Sequence, residues 1–554
     1  MRYKNILRSE FFKGTLTGYS VIVFLNSFFC LVFGNPGITL SVLTVLYFVF
    51  GIVNYFIYTF HGTPFTMGEI KNFRTAMAVA KSYTFVMPVG TMIFLAGLLL
   101  TAFLIQFFCS YEGFLRWLPL GLLAVFGIFL FFSFFSPKPL IERKLNTSSW
   151  IPVLEKYGYI PAFVRQTLSE IRGPVVKPDP YSREDNISFI GEVQGKNPDS
   201  GRKPDIIFIL NETFYDLKDA VDLNPDMDTL TGFRSIDNAL RGRVVTPRIG
   251  GGTNVSEYEC LSSNSMQIMP YVATPFNVLD LRKANTILTY LKSMGYRTFA
   301  THPGETFSYR RNVAYPAMGF DRITFAKDYR EPEYYGNRTS YITDSSMYRN
   351  MIRWYEEFSD DSPLFFYGLT IQNHGDWISN TEEQMLVKSG KDFGKYTHII
   401  NEFQSCIRLS DDALTEFIDH FRTVDRDVVI VMTGDHAPSF VKDRDFHELG
   451  GKDDFLALGS TPYIIWSNRE LKALENMDVI SMPLLLPAVF DAAGMKQSPY
   501  CSFLNLLRHE VPILRGTDDK NLSERERDLL NRYYSLEYLN YSEPEKFVDY
   551  WKCI

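Results

Sequence analysis

Between Lys13 and Glu69 the chain contains no Asp, Glu, Lys or Arg. A stretch that long without charge excludes an ordinary soluble surface, and it marks the first quarter of the 554 residues as membrane. Cysteine is also scarce. The six residues show no CxxC spacing, so neither a disulfide framework nor a zinc knuckle is expected, and they read as small buried side chains. Clusters of Lys and Arg are missing and the net charge is -7, which argues against nucleic acid as a partner. No internal repeat is visible, and nothing specifies an oligomeric state.

Apolar runs at Leu16–Phe33, Ile38–Phe60, Phe85–Cys109 and Leu118–Phe135 are each long enough to cross a bilayer, which takes roughly 20 residues. Four spans are therefore expected. The first is not a cleavable signal, because a second span follows at once with no small-residue cleavage pattern between them. Lys4, Arg8 and Lys13 before the first span, and Lys138, Arg143 and Lys144 after the fourth, place both ends in the cytoplasm by charge counting. The polar stretch His61–Tyr83 connects the second and third spans.

The spacing divides the chain into a membrane region of about four helices over 1–138 and a juxtamembrane helix near Ile151–Ile171 with a linker over 139–204. An α/β domain over 205–515 and a C-terminal tail over 516–554 follow. In the third part, short β-branched runs at Ile206–Leu210, Thr298–Thr301, Leu364–Thr370, Val428–Met432 and Tyr463–Trp466 alternate with amphipathic segments. Helices are predicted after Thr253 and at Asn285–Met294, Asp344–Phe358, His398–Phe421 and Met482–Ala493. That rhythm predicts a mainly parallel sheet flanked by helices, with ligands beyond the carboxyl ends of its strands.

Three stretches carry chemistry. Gly250-Gly251-Gly252 permits a sharp turn and close approach of a substrate, and Thr253 then opens a helix as the candidate nucleophile. Glu212 follows the first strand run, and Asp435-His436 follows another. Carboxylate, hydroxyl, carboxylate and imidazole together suit a divalent metal, which lowers the pKa of a hydroxyl and offsets charge on an attacked phosphoryl oxygen.

The order of these motifs resembles the lipoteichoic acid synthase and phosphoglycerol transferase branch of the alkaline phosphatase and sulfatase superfamily. The resemblance rests on strand-Asn211-Glu212-Thr213, on Gly-Gly-Thr-x-x-x-Glu from Gly251 to Glu257, on Asn373-His374 and on Thr433-Gly434-Asp435-His436. It implies that Glu212, Thr253, Asp435 and His436 hold one metal ion and that Thr253 becomes covalently modified. Mn2+ is the metal expected, with Zn2+ or Mg2+ compatible. Phe307-Ser308-Tyr309-Arg310-Arg311, followed by Met318-Gly319-Phe320-Asp321, is similar to the segment in which an aromatic residue and an arginine hold the headgroup. It implies that Tyr309 and Arg311 bind substrate together with His302 and His374, the latter also as general acid.

The resemblance implies a multi-pass membrane enzyme with an extracellular catalytic domain. Its donor is a membrane phospholipid, phosphatidylglycerol, and its acceptor a glycolipid or glycopolymer. An outside domain conflicts with the charge count. The chain also departs from the family pattern, with Tyr309 in place of tryptophan, Gly304 in place of an acid, and four spans in place of five. A phosphoethanolamine transferase, a phosphoric-ester or sulfuric-ester hydrolase, and a non-catalytic polymer-binding protein are the alternatives. Sulfatase chemistry is disfavoured because Thr253-Asn254-Val255 lacks the Cys/Ser-x-Pro-x-Arg setting for formylglycine.

Overall fold

The computed structural model describes residues 10–61, 64–67, 89–108, 116–142, 150–173, 175–193, 201–223, 228–269, 274–448, 452, 454–514 and 522–553. The chain divides into two compact units, one formed by residues up to 174 and the other by 175–269 and 274–554.

The first unit is built on four apolar helices, α1 Glu10–Phe33, α2 Pro36–His61, α3 Val89–Phe108 and α4 Leu118–Phe135. Among the described residues, α1, α2 and α4 are long and apolar enough to cross a membrane, and α3 is apolar over Val89–Ile105. Large apolar side chains such as Phe11, Tyr19, Ile93 and Phe107 are exposed on them, as lipid-facing surface requires. Only His61 and Pro64–Met67 of the polar stretch after α2 are described, and Phe85 to Pro88 and Cys109 lie outside the described residues. The single juxtamembrane helix expected near Ile151–Ile171 is two helices, Trp150–Tyr157 and Tyr159–Arg172. They break at Gly158, whose φ of 75° no helix contains. Arg165 in the second is buried and donates to the carbonyls of Phe134 (2.7 Å) and Ile141 (2.8 Å), fixing it to the end of α4.

The second unit is organised around an eight-stranded sheet: β1 Asp205–Asn211, β2 Ala239–Val245, β3 Arg297–His302, β4 Arg322–Phe325, β5 Leu364–Leu369, β6 Val428–Gly434, β7 Ser460–Ser467 and β8 Val479–Ser481. The order across the sheet is β4-β3-β5-β1-β6-β7-β2-β8. From β4 to β6 every pair is parallel, and β7 runs antiparallel between β6 and β2. β1 lies between β5 and β6, and β1, β5 and β6 are buried along their whole length, which is why they read as continuous apolar runs.

Helices α5 Thr253–Ser262, α6 Arg311–Met318, α7 Asp344–Phe358 and α8 Thr397–Phe421 belong to this unit. One apolar cluster joins the faces of β1, β5 and β6 to α7 and α8 through Ile207, Phe366, Ile430, Trp354 and Phe417. Two expectations change at the edges. A helix, Arg183–Glu192, stands within the expected linker, started by a Ser182 side chain that accepts from Asp185 N. The stretch expected as a tail forms α9 Glu524–Ser542 and α10 Pro544–Trp551, with Tyr533, Leu536, Phe547 and Trp551 fully buried. No disulfide joins the described cysteines, four of which are buried and one, Cys553, half-buried.

Candidate active site

The carboxyl ends of β1, β3, β5 and β6 form one rim, and the sequence-selected residues converge on it. β1 ends at Asn211 and delivers Glu212, while β6 ends at Gly434 and delivers Asp435 and His436. Gly434 is required there, since a Cβ would stand 2.0 Å from the carbonyl oxygen of Phe214. Asp435 is locked in place. Its Oδ1 accepts from Thr213 N at 2.7 Å, its own N donates to Asn211 O at 3.2 Å, and its carbonyl accepts from Ser256 Oγ on α5 at 2.7 Å.

The glycine tract adopts φ values of 70°, 132° and 88°, all in the region that side chains avoid. It brings α5 in so that Thr253, its first residue, donates from Oγ1 to Glu212 Oε2 at 3.3 Å. Ligand atoms of Glu212, Asp435 and His436 lie within 4.8 Å of one another, all buried. The four side chains therefore meet.

Their arrangement fits a cation on physical grounds. His436 directs Nδ1 to the carbonyl of Ala437 at 3.0 Å, which puts the proton on Nδ1 and leaves Nε2 a lone pair. Burial pushes the His436 pKa down, so the ring is neutral. Its lone pair nevertheless faces Asp435 Oδ2 at 3.2 Å and Glu212 Oε1 at 3.7 Å, and Oδ2 is buried without a hydrogen-bond partner among the described residues. Burial first, and then the charge of Glu212, hold the Asp435 carboxyl well above the usual carboxylate range. Acceptors pointed at one another in a buried space are what a divalent ion reconciles.

The remaining predicted residues lie in a second layer. Arg311 opens α6, buried at 3% exposure, and its guanidinium is 5.2 Å from the centre of the Tyr309 ring. It is not a free surface cation: Nε donates to Glu257 Oε1 at 2.9 Å and Nη2 to the same oxygen at 2.6 Å, while Nη1 faces His302 Nε2 at 3.3 Å. His302, at the end of β3, turns Nδ1 to Leu369 O at 3.0 Å, so its Nε2 accepts from Arg311. Burial, with the Arg311 charge second, pushes its pKa well below the imidazole range. Gly304 keeps this contact open, because a Cβ there would lie 2.3 Å from His302 Nε2. His374 is half-buried, with Nδ1 between Gly375 O at 2.9 Å and the Tyr341 hydroxyl at 3.3 Å.

Sequence reasoning did not find the residues that hold these groups. Glu257 was visible as the end of the glycine-threonine motif, but its partner lies 54 residues later. A buried network also went unseen. Asn211 Nδ2 donates to Asp344 Oδ2 at 2.9 Å, Ser410 Oγ donates to the same oxygen at 2.6 Å, and Asn373 Nδ2 donates to Asn211 Oδ1 at 3.0 Å. It clamps the residue before Glu212 to the residue before His374.

The sulfatase family model matches residues 204–495, more than half of the chain. A protein of Rhizobium meliloti (strain 1021), provisionally described as a cyclic beta-1,2-glucan modification protein, is 27% identical over 322 residues, covering 56% of this chain and 49% of the relative. The capsular polysaccharide biosynthesis protein RkpI of the same organism is 29% identical over 149 residues, covering 27% of this chain and 25% of the relative. The chain thus spans half or less of the length of these relatives. Among solved structures, the Streptococcus pyogenes phosphoglycerol transferase GacH in complex with sn-glycerol-1-phosphate superposes with a TM-score of 0.58 at 20% identity, covering 68% of this chain and 97% of the solved chain. That likeness is one of fold. The chain belongs to the sulfatase family, within the alkaline phosphatase and sulfatase superfamily of metal-dependent transferases and hydrolases that act on phosphoryl and sulfuryl groups.

Proposed function

We propose that this protein is a membrane-anchored phosphoglycerol transferase that uses Thr253 as its nucleophile on a phosphatidylglycerol headgroup. One observation carries the reading: a threonine hydroxyl, at the start of a helix, sits 3.3 Å from one of two buried carboxylates that share their space with a neutral imidazole. Glu212, Thr253, Asp435 and His436 would hold a divalent ion, which we assign as Mn2+, with Zn2+ and Mg2+ compatible with the same donors. When bound, the ion supplies charge that favours the threonine alkoxide and the anionic phosphoryl transition state.

The chain's own residues account for the rest. Thr253 Oγ1 forms a bond to phosphorus as the bond from phosphorus to the diacylglycerol oxygen breaks, and the threonine proton passes to Glu212. His374, with Nδ1 fixed by Gly375 and Tyr341, supplies a proton from Nε2 to the departing alcohol. An acceptor hydroxyl then gives its proton to His374 Nε2 and forms a bond to phosphorus as the bond from phosphorus to Thr253 Oγ1 breaks, and Thr253 takes its proton back from Glu212. Arg311, steadied by His302, and the Tyr309 ring hold the headgroup. The names of the two Rhizobium relatives favour a glucan or capsular-type glycan as acceptor.

We place the four apolar helices as spans and the catalytic unit on the outer face, where such lipids and glycans meet, against the charge count. The test uses the full chain in liposomes containing phosphatidylglycerol labelled in its headgroup glycerol. Manganese-dependent release of diacylglycerol with label on the protein is expected, and EDTA should abolish both. Transfer from phosphatidylethanolamine instead, or release of the label only to water, overturns the donor or the transferase reading respectively. Protease added to intact cells should cleave the catalytic unit, and full protection overturns its placement outside.

A further inference from the structure

We infer that Glu257 is a positioning residue for the reaction: it fixes the Arg311 guanidinium relative to Thr253, so that the helix carrying the nucleophile also sets the place of the phosphate-binding cation. Glu257 lies one helical turn after Thr253 on α5, so their side chains share a face, about 5–6 Å apart along the helix. Its carboxylate is completely buried and takes Arg311 through two nitrogens, Nε at 2.9 Å and Nη2 at 2.6 Å on Oε1. Oε2 accepts from the Tyr315 hydroxyl on α6 and, at 3.4 Å, from the Tyr367 hydroxyl on β5. With both oxygens occupied by three side chains, the carboxylate can neither rotate nor reach a ligand. It touches no reacting atom and acts only through Arg311.

The donor inventory shows what this leaves. A guanidinium has five N–H groups, and Glu257 and His302 engage one on each of the three nitrogens. One N–H on Nη1 and one on Nη2 remain, a pair that suits two oxygens of one phosphate. Fold stability does not require the ion pair, because well-packed apolar residues of similar volume generally serve a buried site as well. A fixed fork direction does require it.

The inference rests on the reading that Arg311 holds the headgroup phosphate, and a double-mutant cycle tests it in full-length protein in liposomes with labelled phosphatidylglycerol. Glu257→Gln is expected to raise KM for the lipid about tenfold while kcat stays within about threefold. Placed on Arg311→Lys, the same change is expected to add less than twofold to KM, because the residue it acts through is already lost. Should Glu257→Gln fail to fold, Glu257→Asp, which keeps the charge but withdraws it by one methylene, carries the same cycle. Effects on KM that multiply across the two positions, or an unchanged KM in a folded variant, overturn the role of Glu257. Absence of headgroup transfer by the unsubstituted protein instead overturns the proposed reaction, so the two failures are distinguishable.

Discussion

Thr253 Oγ1 and Glu212 Oε2 stand 3.3 Å apart although 41 residues separate them in sequence, so the hydroxyl proton of the first points at the carboxylate of the second. Thr253→Ala removes the attacking oxygen without enlarging the core appreciably. Transfer is expected to fall by ~10^3-fold or more, with folding stability changed by less than about 1 kcal/mol. Intact-mass measurement after incubation with phosphatidylglycerol should show a phosphoglycerol adduct on the unsubstituted chain and none on the variant. An adduct that persists in Thr253→Ala places the nucleophile elsewhere.

Asp344, beneath the site, gives a pH signature of stability. Burial raises its pKa from 3.8 to about 6, and its Oδ1 is buried without a hydrogen-bond partner among the described residues. The folded state thus keeps a proton that the unfolded chain has lost between those two values. Stability from this group falls as pH rises from about 4 to about 6 and stays low above that. The window of about two pH units corresponds to about 3 kcal/mol at most. Asp344→Asn cannot ionise, so the difference in urea midpoint between it and the unsubstituted protein should change across pH 4 to 6 and be constant from 6.5 to 8.

Gly304→Ala tests the space beside His302. A Cβ at 2.3 Å from Nε2 must push the imidazole aside, and the contact with Arg311 is lost with it. The expected result is a KM for lipid raised severalfold to tenfold with a melting temperature within a few degrees of the original. Unchanged kinetics would show that His302 takes no part in holding Arg311.

Ending the chain before residue 522 removes α9 and α10 and uncovers the surface on which Tyr533, Phe547 and Trp551 are buried. Burial of one large aromatic side chain contributes about 2–3 kcal/mol, so losing these three and their aliphatic neighbours exceeds the margin of an ordinary domain. The truncated protein is expected to aggregate or to be degraded. A soluble, cooperatively melting product would show that these helices are dispensable.

Much of this architecture was readable from residue pattern. The central strands declared themselves because Ile206–Leu210 and Val428–Met432 are buried on both faces. That same uniformity hid direction, and the antiparallel course of β7 leaves no trace in Tyr463–Trp466. β2 escaped because Ala239–Val245 is buried only at its last two residues and carries two arginines and a glycine. α9 reads as a tail in the sequence because its charged face, from Glu524 to Arg532, outweighs a helical spacing of Leu529, Tyr533, Leu536 and Leu539. In the candidate site, the residues with a local signature, Glu212, Thr253, Asp435 and His436, are ones that the fold brings together. The contacts of Glu257 and Asp344 have no such signature, since Arg311 and Asn211, their partners, are brought near only by the fold.

The middle position of β1 has a consequence for how such a protein is made. Its two neighbours come from residues 364–369 and 428–434, so an apolar ribbon synthesised early waits for most of the polypeptide before it is sheathed. Contacts that distant form slowly and leave sticky intermediates. If synthesis delivers the chain across a bilayer, whatever attends the emerging segment must shield Ile206–Leu210 until β6 arrives, and catalytic competence appears only late in that sequence of events.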